Sequence, residues 1–159
     1  MKNVRNILIL VLVYACIAVS CVYGAGSCTQ ALEKIPNSNI AVLTFTCTAD
    51  GAAGTFPTIT TGTDITAAIR GYSIAEVRTA PGATAPTNLY DASMNDSLGV
   101  DLMGGTLIDR SSTKFERATP LLGTGNYGPS PIDTALSLVI TGTSVNSAII
   151  TFKAILRKE

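Results

Sequence analysis

The chain has 159 residues and a formal charge of zero, enough length for one domain and not comfortably for two. It contains no histidine, which excludes a Ser-His-Asp triad, a Cys-His pair, a His-ligated zinc and a histidine pH switch. Only 14% of the residues are charged and 47% are apolar; with abundant Gly, Thr, Ser and Ala this favours an extracellular or virion-type all-β protein over a helical cytosolic one, and without a basic stripe no nucleic-acid partner is expected.

The N-terminus, MKNVRNILILVLVYACIAVSCVYGAGSC, places Lys2 and Arg5 before an apolar run from Ile7 to about Val19, then small residues. This is the order of a bacterial secretory signal, so residues 1–25 are read as a signal peptide cut after Gly24 or Ala25. Two alternatives stand beside it. AVSC places Cys21 after Ala-Val-Ser, an approximate lipidation signal that lacks the usual leucine. The uncharged stretch from Ile7 to Ala25 is also just long enough for a retained membrane anchor. Each reading exports the body of the protein, to the periplasm, the cell envelope or the exterior, and limits membrane contact to this segment. Eleven basic side chains less Lys2 and Arg5 leave nine against eleven acidic ones, a mild acidity that serves solubility and names no partner.

The cysteines lie at 16, 21, 28 and 47. After ordinary cleavage Cys28 and Cys47 remain, and two cysteines in an exported chain predict one disulfide. The alternative is that Cys47 is a small buried apolar residue in its strand.

Residues 26–39 read as a lead-in, with Pro36 and NSN breaking any helix, and 40–159 as the β domain. NIAVLTFTCTAD alternates, with Ala41, Leu43, Phe45 and Cys47 on one face. GAAGTFPTITTGTDI is a linker or edge segment because of Pro57, and TDITAAIRGY is a helical turn or a run-in. GYSIAEVRT is a second strand, APGATAP a loop, and TNLYDASMN a strand with Tyr90, Ala92 and Met94 on one side. VDLMGG and TLIDR read as short strands broken by glycines, and residues 111–131 as a long surface loop. TALSLVITGTSVNSAIITFKAIL supplies two closing strands, one with Leu136, Leu138 and Ile140 on a face, the other with Ala148, Ile150, Phe152 and Ala154. Turns every eight to twelve residues predict a single β-sandwich or jelly-roll-like domain.

Few groups offer chemistry. Asp91, Asp96, Asp101 and Asp109, with Asn95, form an oxygen-rich stretch, but their spacing is not that of a calcium loop and the wet face of a strand explains them. Two of Asp91, Asp101 and Glu116 would make a glycosidase pair if brought together, yet the chain has no Trp to line a sugar cleft. Among the tyrosines, Tyr72 and Tyr90 fall in strands and read as core or rim, whereas Tyr127 lies in a loop and is the better surface contact. NDS at 95–97 matches a glycosylation acceptor, discounted because the signal is bacterial in type. No catalytic residue, metal ligand or cofactor is expected.

GYSIAEVRTAPGATAPTNLYDASMNDSLGVDLMGGTLIDRS resembles a family of small phage-encoded proteins. Its members show a strand, a PG…APT…YD loop, a DxDGxDxxGG segment and an (A/N)R ending, and close with a strand pair like LSLVITGTSVNSAIITFKAIL. Their FTWTAD is similar to FTCTAD here, with Cys47 at the tryptophan position. The resemblance covers about residues 40 to 156 and implies an uncharacterised structural or virion-associated protein of tailed phages and prophages, with no catalytic residues to transfer. Two features depart from the family: the signal-like N-terminus, and NDSLG in place of the DxDG segment. The expectation is a non-enzymatic structural or decoration protein, whose partners are capsid or tail proteins or further copies of itself. The alternative is an exported envelope or adhesin-like module, lipidated at Cys21 or saccharide-binding.

Overall fold

In a computed structural model that describes residues 25–158, the alternation of NIAVLTFTCTAD becomes strand β2 (Ile40–Thr48). Ala41, Leu43, Phe45 and Cys47 are fully buried. The intervening Val42, Thr44, Thr46 and Thr48 turn outward, where β-branched side chains suit a pleated, half-wet surface. Beside β2 run β1 (Ser27–Lys34) and β11 (Ile149–Lys158); β4 (Tyr72–Pro81) pairs with the far edge of β11. The short strands β6 (Glu116–Ala118) and β9 (Ser130–Pro131) both pair with β4, completing a six-stranded antiparallel sheet, sheet A.

Register sets the core. Leu43 lies opposite Ala154, which lies opposite Val77; Phe45 lies opposite Phe152, which lies opposite Thr79. The small Ala154 and Thr79 make room for the larger side chains beside them, and the inner face packs closely. A β-bulge at Ala75 lets Ile74 and Val77, three positions apart, both point inward.

Sheet B is smaller: β3 (Ile59–Thr60), β10 (Ser137–Thr141) and β5 (Asp91–Asn95), with β10 in the middle. Its inner face supplies Ala92, Met94, Leu138 and Ile140. Beside β5, Tyr90 meets Phe152 of sheet A edge-on, with ring centroids 6.5 Å apart and planes at 86°, and this pair ties the two sheets together. Met103, Leu107, Ile132 and Leu136 reach the same core from loops. A two-stranded hairpin, β7 (Leu121–Gly123) with β8 (Asn126–Tyr127), stands apart. The helix α1 (Thr63–Ile69) is a short turn that buries Ile69. The fold is all-β, built from packed antiparallel sheets.

Three expectations need correction. Residues 26–39 are not only a lead-in: Ser27–Lys34 pair along their whole length with β2, because Cys28, Gln30 and Leu32 alternate inward. VDLMGG and TLIDR are not strands. They form turns held by single bridges, Asp101 to Asn95 of β5 and Arg110 to Tyr90 just before it, with Gly104, Gly105 and Asp109 at positive φ, which an extended strand cannot hold. The stretch 111–131 is not one loop, since β6 to β9 lie within it. The signal, anchor and Cys21 lipidation readings fall on residues 1–24, outside the described residues.

Candidate functional surface

The predicted disulfide is present: Cys28 of β1 and Cys47 of β2 are directly opposed, bonded, with Cα atoms 4.0 Å apart. Cys47 takes its place in the inner row of β2, so the covalent tie and the core share one side chain.

The aspartates flagged in the sequence are turned to the backbone. Asp101 accepts from Met103 N (3.0 Å) and Met94 N (3.3 Å) through Oδ1 and from Gly105 N (2.8 Å) through Oδ2. Asp96 Oδ1 accepts from Leu98 N (2.8 Å) and Val100 N (2.9 Å), and Asp91 Oδ1 from Asp109 N (2.9 Å). These side chains hold turns in place of the regular ladder. Glu116 Oε2 takes Ser111 N at 2.7 Å and lies 3.2 Å from Arg110 Nη2. The three carboxylates considered for glycoside chemistry are thus each bound to the loop they organise. Among the described residues no group of three or more His, Cys, Asp or Glu side chains comes together as metal ligands.

Asp50, in the TAD segment, does the same work. Its Oδ1 accepts from Ala52 N and Ala53 N, both at 2.7 Å, and these bonds, Ala53 first, hold its carboxyl below the usual carboxylate range. The loop so formed brings Gly54, at φ +66°, against the backbone of Ser144, where an added Cβ would lie 2.3 Å from the Ser144 carbonyl carbon.

The tyrosines separate as their positions suggest. Tyr90 is fully buried. Burial pushes its phenol up to about 12, partly opposed by the nearby Thr79 hydroxyl and Arg110 and reinforced by Glu116. Neither the Tyr90 nor the Thr79 hydroxyl makes a hydrogen bond of ordinary geometry. Tyr72 is half-buried, with Lys158 Nζ 5.9 Å from its ring centre. Tyr127 is 66% exposed and borders a hollow with Gly104, Gly105, Thr106, Arg117 and Leu121.

The most distinctive surface was not visible in the sequence. On the outer face of sheet A, Lys153 of β11 lies opposite Arg78 of β4, which lies opposite Arg117 of β6. Strand spacing sets such neighbours about 5 Å apart, and like charges directly opposed repel. Glu76 counters the row: it pairs with Arg78 Nε and lies 3.5 Å from Arg117 Nη1. These cations line a groove of about 430 Å³ together with Glu116, Thr79, Ala80 and Thr151. At its lip Phe115 is 82% exposed. The row joins residues far apart in sequence, and only strand order and register bring them together.

No protein-family model, curated protein or solved structure matches the chain. The resemblance to phage-encoded proteins therefore stands on the quoted residues alone.

Proposed function

We propose that this chain is a non-enzymatic structural or decoration protein of phage type, which works by offering its sandwich surfaces to neighbours in an assembly. The observation that carries this reading is the exposure of large apolar side chains between β5 and β9, Leu98, Val100, Ile108 and Phe115 on loops and Leu122 and Tyr127 on the β7–β8 hairpin. A chain that buries the inner faces of its long central strands but leaves this apolar set in water has a surface suited to a protein partner. The carboxylates support the same reading, because they fix the shape of those loops. Sedimentation of the purified protein over a wide concentration range, with electron microscopy of any assemblies, tests the proposal. Regular oligomers or binding to capsid or tail proteins supports it. A monomer that binds a saccharide saturably and joins no assembly overturns it.

The second reading is an exported envelope or adhesin-like module, saccharide-binding and, if lipidated, held through Cys21. The observation in its favour is the Cys28–Cys47 disulfide, which is compatible with an oxidising location. Intact-mass measurement after cell fractionation separates the cases: loss of residues through Gly24 or Ala25 marks a cleaved exported domain, and a diacylglycerol on Cys21 marks the envelope module.

A further inference from the structure

We infer that the cationic groove on sheet A receives the acidic turn 96–101 of a second copy of this chain. The inference rests on the assembly reading above and names the contact.

The two surfaces are complementary in charge and in apolar content. The turn carries Asp96 and Asp101 around Leu98, which is 86% exposed, and Val100, which is also exposed. It is rigid: Asp96 Oδ1 holds Leu98 N and Val100 N, Asp96 N donates to Val100 O (3.0 Å) and Gly99 N donates to Asp96 O (3.1 Å). Leu98 is thus presented in a fixed position, so little entropy is lost when it is covered. The groove offers the converse: three cations, Arg78, Arg117 and Lys153, outnumber two carboxylates, Glu116 in its lining and Glu76 paired with Arg78 and Arg117, with exposed Phe115 at the lip. The negative charge of Asp96, whose bonds to Leu98 N and Val100 N use Oδ1, relieves the repulsion along the row, and Leu98 and Val100 cover the phenyl ring.

The turn follows the last residue of β5 in sheet B, whereas the groove lies on the outer face of sheet A, across the core. The two surfaces share no residue, so the contact is heterologous. The pair as a whole keeps one free groove, on the copy that gave its turn, and one free turn, on the copy that gave its groove, so growth continues until the geometry closes a ring or extends a fibre.

The test uses two variants. Leu98→Lys spoils the turn, and Phe115→Ser combined with Arg117→Ser spoils the groove; all three positions are exposed, and circular dichroism verifies the fold. Wild type is expected to self-associate, more weakly as salt is raised toward about 1 M. Each variant alone is expected to associate at least about tenfold more weakly. An equimolar mixture then forms a dimer and nothing larger, since one partner supplies the only intact turn and the other the only intact groove. Assembly of the wild type that neither variant weakens overturns this contact while leaving the assembly reading standing. A wild type that stays monomeric at every concentration overturns self-association. If heparin then binds it and the groove variant loses that binding, the groove belongs to an anionic polysaccharide instead.

Discussion

Arg110 and Glu116 close a loop on itself: Arg110 Nη2 lies 3.2 Å from Glu116 Oε2, while Arg110 Nη1 donates to Thr106 O at 3.2 Å. The arginine side chain is 9% exposed and the glutamate 31%, so the pair lies at the rim of the core and is partly solvated. Glu116→Ala leaves a nearly buried guanidinium without its counter-charge and frees Ser111 N. The expected loss is about 2 kcal/mol, below the ~3–5 kcal/mol of a fully buried pair. Glu116→Gln retains an acceptor and should fall between. Urea unfolding of the three proteins checks the order.

Glu76 is the counter-charge to the row of Arg78, Arg117 and Lys153. Glu76→Gln leaves the cations opposed across adjacent strands. Because Arg78 and Arg117 are well exposed, the expected loss is modest, about 1 kcal/mol at low salt. It should shrink as ionic strength rises to about 1 M, where screening acts over about 3 Å. A loss independent of salt would mean that Glu76 acts by packing.

The buried phenol of Tyr90 makes stability fall at alkaline pH. Its folded pKa of about 12 lies above the ~10 of an unfolded tyrosine. The folded state then holds a proton that the unfolded state releases, so the contribution is complete below about pH 10 and is lost as pH rises through about 12. The wild type should lose up to about 3 kcal/mol over that window, and Tyr90→Phe should lose correspondingly less. Since the hydroxyl has no ordinary hydrogen bond, the same substitution is expected to be neutral or stabilising at pH 7. Thermal denaturation of both proteins from pH 7 to the alkaline limit decides both points.

Opening the Cys28–Cys47 bond removes a constraint on a segment with a sequence separation of 19, worth about 3 kcal/mol in the chain-entropy description. The paired replacement Cys28→Ser with Cys47→Ala is expected to lower stability by about that amount, while the inner rows of β2, β4 and β11 keep the fold. Hydrogen exchange should quicken most in β1, which among the described residues has β2 as its sole strand partner.

The strands that alternate cleanly were legible from the residues. The buried faces of β2, β5, β10 and β11 follow directly from the period of two, which also places Tyr90 with Ala92 and Met94, whereas Tyr127 was read as exposed from a loop and lies exposed on the short strand β8. β4 was legible as a strand but not in its facing, because the bulge at Ala75 breaks the period between Ile74 and Val77. β1 was hidden by its composition: Gln30 occupies an inward position, and only the partner strand reveals the pairing. The segments VDLMGG and TLIDR carry apolar residues at spacings that suit either a strand or a turn. The carboxylates of Asp91 and Asp101 decide between them by taking backbone amides. The cationic row left no local signal, since residues 78, 117 and 153 meet only through register.

The position of the disulfide also determines how the sheet bears a pull on its N-terminus. Only Ser27 of β1 precedes Cys28, and the bond leads directly to Cys47 of β2, a strand flanked by β1 on one side and β11 on the other. Tension arriving through the leading residues therefore bypasses the rest of β1. It enters the sheet at an interior strand instead of peeling the edge strand away rung by rung, so the domain is reinforced at the point where a tether would load it.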